Sequence, residues 1–212
     1  MSRSLAIFGG TFDPVHFGHL RTALELKQQL EFDEMRMLPC HVPSHRDLPV
    51  ASSGQRLRML QLAVEDEPGL MVDDREIERG GVSYMVDTLQ SFRDELGARI
   101  SLSLVVGMDS FLSLPQWHEW QRIPDLAHIV VVARPGSQLP DSGIIERFVH
   151  ARLSDSVAEL KGSASGRVLF KELTPLDISA SHIRQLVEQG QSPRFLLPDA
   201  VWAFIKQHGL YQ

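Results

Sequence analysis

The chain has 212 residues, of which 43% are hydrophobic and 23% are charged, enough to build one ordinary α/β domain around a buried core. It carries 21 Lys and Arg against 27 Asp and Glu, a formal net charge of −6 without a basic run, so DNA or tRNA is not an expected partner. The single cysteine, Cys40, leaves no internal disulfide or cysteine-based zinc cluster, and the lack of a long apolar run predicts a cytoplasmic protein with no membrane partner.

Short apolar runs alternate with amphipathic segments along the chain. Residues 5–8 predict a buried strand, and the apolar spacing over residues 20–30 predicts the helix that follows. Further strands are expected at residues 35–38, 101–106, 129–133 and 168–173, and further helices at residues 56–64, 83–96, 178–188 and 197–208. Residues 137–166 carry no clear pattern. The alternation predicts an α/β fold, a doubly wound (Rossmann-like) parallel sheet with helices on both faces and a short C-terminal helical region, whose ligands bind at the carboxyl ends of the strands.

The first motif, residues 9–20, follows the first predicted strand and reads Gly-Gly-Thr-Phe-Asp-Pro-Val-His-Phe-Gly-His-Leu. Its two leading glycines let the backbone turn sharply and expose amide groups to a ligand. His16 and His19 share one face at the start of a helix, where two imidazole donors suit a phosphate in a transferring group. From the residues alone, a metal site completed by His41 or His45, or a pair of surface histidines, is also open.

The second motif, residues 177–184, reads Asp-Ile-Ser-Ala-Ser-His-Ile-Arg. Ser179 is a natural N-cap for the helix that follows, and Ser181 lies in its first turn. Arg184 adds a permanent charge and a fork of donors, so hydroxyls, free amides and a guanidinium converge on one helix end. This set suits the phosphates of ATP, although capping serines and an exposed arginine also begin many helices that bind nothing.

The first motif is the signature of the nucleotidyltransferase superfamily with the HxGH motif, and the string resembles that of bacterial nicotinate-nucleotide adenylyltransferases. The second motif is similar to that family's Ile-Ser-Ser-Thr-x-Ile-Arg, with Ala180 in place of a serine. The resemblance implies one nucleotidyltransferase domain over residues 1–212, with a C-terminal helical subregion, roughly residues 175–212, that carries the second ATP motif. It implies that the catalytic residues are His16, His19 and Arg184. The implied ATP contacts are Gly9, Gly10, Thr11, Phe12, His16, His19, Gly107, Asp109, Ile178, Ser179, Ser181 and Arg184.

Three other segments resemble the acceptor side of the same family. Residues 76–89 resemble Arg-x-Gly-x-Ser-Tyr-Thr-x-Asp-Thr-Leu, with Met85 where threonine is usual, so the Met85 amide is the expected anion donor. The turn at Trp117 offers a flat face for a pyridine ring, and His118 replaces an aromatic residue. Residues 39–46 resemble the family's proline-rich loop, with arginine in place of its final lysine. The implied acceptor contacts are His45, Arg46, Ser83, Tyr84, Met85, Trp117 and Arg134.

The resemblance implies direct in-line transfer of the adenylyl group of ATP to nicotinate mononucleotide. Mg²⁺ is expected to arrive with ATP, because the sequence contains no carboxylate cluster that indicates a metal site formed by the protein. No serine, histidine and aspartate set or activated cysteine suggests a covalent intermediate. Phosphopantetheine or nicotinamide mononucleotide as acceptor, a non-catalytic nucleotide sensor and a homo-oligomer are alternatives that the sequence leaves open.

Overall fold

The core of the fold is a six-stranded sheet in which every neighbouring pair of strands is parallel. A computed structural model describes residues 3–44, 48–133, 143–174 and 176–212. The strands of this sheet are β1 (Ser4–Gly10), β2 (Glu34–Pro39), β4 (Met71–Val72), β6 (Ser101–Gly107), β7 (His128–Ala133) and β8 (Val168–Glu172). Their order is β4-β2-β1-β6-β7-β8. The direction of winding reverses between β1 and β6, so the carboxyl ends of these two strands flank the switch point where such sheets bind ligands.

A second, two-stranded sheet lies outside the main one. It pairs β3 (Val42–Pro43) with β5 (Val82–Ser83) in parallel. The helices are α1 (Phe17–Gln29), α2 (Ser53–Val64), α3 (Arg75–Arg79), α4 (Met85–Leu96), α5 (Met108–Leu112), α6 (Ile123–Leu126), α7 (Ile144–His150), α8 (Val157–Gly162), α9 (Ala180–Glu188) and α10 (Asp199–Gln207), with two 3-10 turns at Leu114–Gln116 and Trp120–Arg122. Across the described ranges, none of the helices combines the length and apolar character that crossing a membrane requires.

Helices cover both faces of the sheet because successive residues of a strand point in opposite directions. In β1, Ala6 belongs to a buried cluster that packs against α1, α2, α9 and α10. Its neighbours Leu5 and Ile7 belong to a second cluster that packs against α4, α5, α6 and α7. The predicted doubly wound α/β sheet is therefore confirmed.

The structure differs from the predicted elements in their boundaries and in short elements that the sequence does not predict, namely β3, β4, β5, α3, α5 and α6. The helix expected from Ser83 begins at Met85, because Ser83 pairs with Pro43 in the small sheet. The helix expected from Arg56 begins at Ser53, where Ser52 and Gln55 form a capping box. Two short helices, α7 and α8, occupy part of the segment for which no pattern was evident.

Truncating a core residue of α9 tests how firmly the second motif is held to the sheet. Ile183 is 0% exposed in the first cluster, so we expect Ile183→Ala to lower the free energy of unfolding by about 3 kcal/mol through lost burial and a cavity. Ile144→Ala is the matched control, because Ile144 is 48% exposed. Urea denaturation measures both. Equal losses for the two variants would contradict the packing described here.

Candidate active site

Two adjoining clefts open at the carboxyl ends of β1 and β6. The wide cleft has a volume of about 820 Å³ and the narrow cleft about 280 Å³. They share one wall, formed by Phe8, Gly9, Gly10, Thr11, Gly107 and Ser110. The switch point of the sheet therefore separates two binding spaces that meet along the loop after β1.

The wide cleft contains both sequence motifs. Most of residues 9–19 line one side of it, and most of residues 176–184, although not His182 or Ile183, line the other side. All the ATP contacts expected from the sequence line this cleft, namely Gly9, Gly10, Thr11, Phe12, His16, His19, Gly107, Asp109, Ile178, Ser179, Ser181 and Arg184. Two segments about 160 residues apart in sequence are thus brought to one cavity by the crossover connections of the sheet.

The two histidines of the first motif are stacked at the start of α1. His16 is the N-cap of this helix, and its ring lies 3.7 Å from that of His19, centroid to centroid. Burial lowers the pKa of His16 to about 4. Burial, and to a smaller extent electrostatic repulsion from His16, lowers the pKa of His19 well below its usual range. The Nδ1 atoms of both rings are buried without a partner among the described residues. Both imidazoles are therefore neutral at physiological pH.

Glycines at two positions let aromatic rings pack tightly around this pair. A Cβ on Gly10 would lie 2.8 Å from Cζ of Phe12, and a Cβ on Gly18 would lie 3.0 Å from the His16 ring. Phe12 itself adopts a left-handed backbone conformation, with φ of 51°, and its buried ring lies edge-on to His19. Burial of the Phe12 ring offsets the cost of this backbone conformation, which is about 1–2 kcal/mol.

The second motif meets the first through Arg184. Ser179 caps α9 by accepting a hydrogen bond from the amide of His182, as predicted. One turn further along, Arg184 Nη1 donates to the carbonyl oxygen of Asp13 at 2.7 Å and lies 3.9 Å from its carboxylate. This contact holds the guanidinium at the wide cleft, beside the two histidines.

Three buried polar side chains at or near the clefts, Asp13, Arg56 and Tyr211, have no role in the sequence-based prediction. The Asp13 carboxylate accepts hydrogen bonds from the amides of Val50 and Ala51 and from the hydroxyl of Tyr211. Among the residues that the structure describes, Arg56 donates only to backbone carbonyls and to the sulfur of Cys40. The signal for Arg56 is its position on the same helical face as the buried Met59 and Leu60 of α2. Such a position predicts burial and hence obligatory hydrogen bonding.

The narrow cleft contains the described part of the expected acceptor site. Ser83, Tyr84, Met85 and Trp117 all line it, together with His118. The rings of Tyr84 and His118 are in contact, with centroids 4.4 Å apart. The N-cap of α4, Tyr84, makes no side-chain capping bond, so the first amides of this helix have no side-chain cap at the cleft.

Glu76 is a further acidic residue of the narrow cleft that the sequence did not single out. It is 2% exposed, and burial raises the pKa of its carboxyl group, while hydrogen bonds from Ser83 and Thr88 act in the opposite direction. The Thr88 hydroxyl lies 2.7 Å from the Glu76 carboxylate and also accepts from Arg79. This network fixes β5, from which Ser83 reaches the cleft.

Several expectations fall outside the described residues or are corrected by the structure. His45, Arg46 and Arg134 lie outside the described ranges. His16 and His19 are not surface histidines, because His16 is 5% exposed and His19 lines the wide cleft. Within the described ranges, no group of three or more histidine, cysteine or acidic side chains is arranged to hold a metal ion.

Comparison with known proteins agrees with this arrangement. Residues 7–186 match the family model described as cytidylyltransferase-like. A protein of Cellvibrio japonicus described as a probable nicotinate-nucleotide adenylyltransferase is 51% identical over 212 residues and covers 100% of both chains. A relative from Hahella chejuensis with the same description is 49% identical, covering 98% of this chain and 95% of its own.

A solved structure gives the same fold at low sequence identity. The Plasmodium falciparum nicotinic acid mononucleotide adenylyltransferase complexed with NaAD superposes with a TM-score of 0.74 at 14% identity, covering 99% of this chain and 97% of that one. The fold, the two motifs and the shared wall define a nucleotidyltransferase of the cytidylyltransferase-like class. Within that class, this chain belongs to the nicotinate-nucleotide adenylyltransferase family.

The low pKa of His16 makes the stability of the protein depend on pH. The unfolded chain binds a proton at this imidazole below its ordinary pKa of 6.5, whereas the folded chain does so only near 4. Stability therefore falls as the pH falls through this window, by about 2 kcal/mol between pH 7.5 and pH 5 for this group. We expect His16→Gln to remove this part of the pH dependence in urea denaturation. If the free energy of unfolding of His16→Gln depended on pH as steeply as that of the natural chain, the assigned pKa of His16 would be wrong.

Proposed function

We propose that this chain transfers the adenylyl group of ATP to nicotinate mononucleotide, releasing pyrophosphate and forming nicotinate adenine dinucleotide for NAD biosynthesis. The observation that carries this proposal is the pair of clefts joined at Gly9, Gly10 and Thr11. A nucleotide in each cleft would bring its phosphates to the same stretch of backbone. Direct transfer between two bound phosphates requires this proximity.

The wide cleft is assigned to ATP. In this assignment, an oxygen of the acceptor phosphate attacks the α-phosphorus, and the bond to the oxygen that bridges the α- and β-phosphates breaks. His16 and His19 stabilise the charge on the α- and β-phosphates as neutral donors, and Arg184 with the amides and hydroxyls at the start of α9 holds the leaving pyrophosphate. Neutral imidazoles suit this task because they donate hydrogen bonds without needing a charge in a buried site.

The narrow cleft is assigned to the nicotinate ring and its ribose phosphate. Trp117 offers the ring a flat aromatic face, and the uncapped amides at the start of α4 offer the carboxylate a set of donors. Met85 provides such an amide from its backbone, so the loss of the usual threonine hydroxyl removes no amide donor. His45, Arg46 and Arg134 remain proposed contacts of the acceptor on the strength of the family resemblance.

Mg²⁺ is proposed to enter with ATP. Phosphate oxygens are the ligands that Mg²⁺ prefers. The bound ion would neutralise negative charge on the phosphates.

Both clefts draw on segments from distant parts of the chain. The wide cleft combines residues of the first motif with residues of the second, such as His19 and Arg184. This supports the proposal that residues 1–212 act as one nucleotidyltransferase domain whose C-terminal helical subregion carries the second ATP motif.

We place this reaction in the cytoplasm.

Pyrophosphate release in the presence of ATP and Mg²⁺ tests the assigned reaction. Nicotinate mononucleotide, nicotinamide mononucleotide and phosphopantetheine are compared in parallel, and we expect kcat/KM to be highest with the nicotinate compound. Preference for either other acceptor would overturn the assignment of the narrow cleft while retaining that of the wide cleft. Binding of ATP without release of pyrophosphate with any of the three would favour a nucleotide sensor.

Replacing His19 with alanine tests its proposed role in the transition state. We expect kcat to fall by about 10²- to 10³-fold while the KM for ATP changes much less, because a donor to developing charge acts mainly in the transition state. His182→Ala is the matched control, since His182 is exposed on α9 and lines neither cleft. Steady-state kinetics measures both variants. An unchanged kcat for His19→Ala would remove His19 from the mechanism.

A further inference from the structure

Arg56 in α2 makes an unusual set of contacts for a charged residue. Its side chain is 1% exposed and lines neither cleft. Nη1 donates to the carbonyl oxygen of Thr11 at 2.7 Å, Nη2 to that of His41 at 2.9 Å, and Nε to that of Ala51 at 3.2 Å. One rigid, planar group thus holds three separate backbone segments.

Each of these three segments belongs to the walls of the clefts. Thr11 lies in the wall that both clefts share. His41 immediately precedes β3, whose Pro43 lines the narrow cleft. Ala51 follows residues 48–50, which line the wide cleft. Arg56 therefore joins the shared wall to one further segment from each cleft.

Two of these segments are also held from their other side. The amide of His41 donates to the hydroxyl of Ser83 at 3.0 Å, so the backbone of His41 is bonded both to Arg56 and to β5. The amide of Ala51 donates to the Asp13 carboxylate at 3.2 Å, and that carboxylate accepts from Tyr211 at 2.7 Å. A continuous chain of hydrogen bonds therefore runs from Ser83 through Arg56 to Tyr211.

We propose that Arg56 is a positioning residue for catalysis, which fixes the narrow cleft and the wide cleft relative to each other through the carbonyls of Thr11, His41 and Ala51. The proposal rests on the proposed function only in assigning ATP to the wide cleft and the acceptor to the narrow one. Arg56 touches neither ligand. It acts by holding the shared wall at the distance that two reacting phosphates require.

The planar guanidinium is needed for this role because its donors point in fixed, divergent directions. A lysine keeps the positive charge, but its ammonium is a compact group on a flexible stem and lacks that fixed fork. In a buried position it would leave at least one of the three carbonyls without its donor. Arg56→Lys therefore separates the geometry of the group from its charge.

The chain offers a closely matched control in Arg93 of α4. Within the described ranges, Arg93 also donates to backbone carbonyls, those of Leu126, Gly97, Ile100 and Ala164. Neither Arg93 nor any of these carbonyls belongs to a cleft wall. Arg93 is partly buried, and Arg93→Lys removes a similar set of backbone hydrogen bonds without changing a contact of either cleft wall.

The experiment compares Arg56→Lys with Arg93→Lys. The melting temperature is measured first, and the Kd of ATP with Mg²⁺ is measured by calorimetry. The kcat and the KM of the acceptor are then measured at a temperature where both variants are folded. We expect both variants to melt earlier. Only Arg56→Lys should weaken the binding of ATP and raise the KM of the acceptor, so that kcat/KM falls by at least about tenfold. Equal kinetic behaviour of the two folded variants would overturn the proposal.

A second variant covers the case in which Arg56→Lys does not fold. Tyr211→Phe removes one hydroxyl from the far end of the same hydrogen-bond chain, so we expect a raised Kd for ATP and an unchanged KM for the acceptor. An unchanged Kd for ATP would overturn the proposal. Because the Kd of ATP is measured without an acceptor, failure of this inference is distinct from failure of the assigned acceptor, which would appear as lack of turnover in the natural chain.

Discussion

Two buried charged side chains, Asp13 within the loop after β1 and Arg56 in α2, tie this loop to the segments around the clefts. A loop that offers its amides to a phosphate cannot use the same amides in regular secondary structure, so other groups must hold it in place. Asp13 and Arg56 supply those groups by bonding to backbone amides and carbonyls of segments around the loop. Both side chains are almost fully buried, at 4% and 1% exposure. Their bonds therefore lie in a medium that strengthens each of them.

The same arrangement explains how an acidic protein can provide a site for two phosphorylated ligands. The net charge of −6 gives no general attraction for phosphates. The site instead relies on local donors, namely the loop after β1, the start of α9 and the guanidinium of Arg184. In the proposed function, His16 and His19 add hydrogen bonds without adding charge, because burial keeps their pKa values low. Specific placement of donors thus replaces a general positive field.

Local patterns indicated the residues that line the wide cleft more completely than the buried side chains that contact them. Both motifs are contiguous strings at strand and helix ends, so their residues could be identified from spacing and from family resemblance. Arg56 could not be assigned in this way, because its carbonyl partners Thr11 and His41 lie 45 and 15 residues away in sequence. The start of α4 was placed two residues early, because the pairing of Ser83 with Pro43 is a long-range contact that local propensity does not contain.

The sequence by itself determined the alternation of strands and helices, the doubly wound class and the two motifs, because these follow from hydrophobic periodicity and from short-range chemistry. Tertiary structure decided that the motifs meet at one wide cleft, that a narrow cleft adjoins it at Gly9, Gly10 and Thr11, and that buried side chains hold the wall between them. These features depend on the order of strands in the sheet and on hydrogen bonds between distant segments. Such contacts form only when the whole chain is packed, so no local stretch of sequence encodes them.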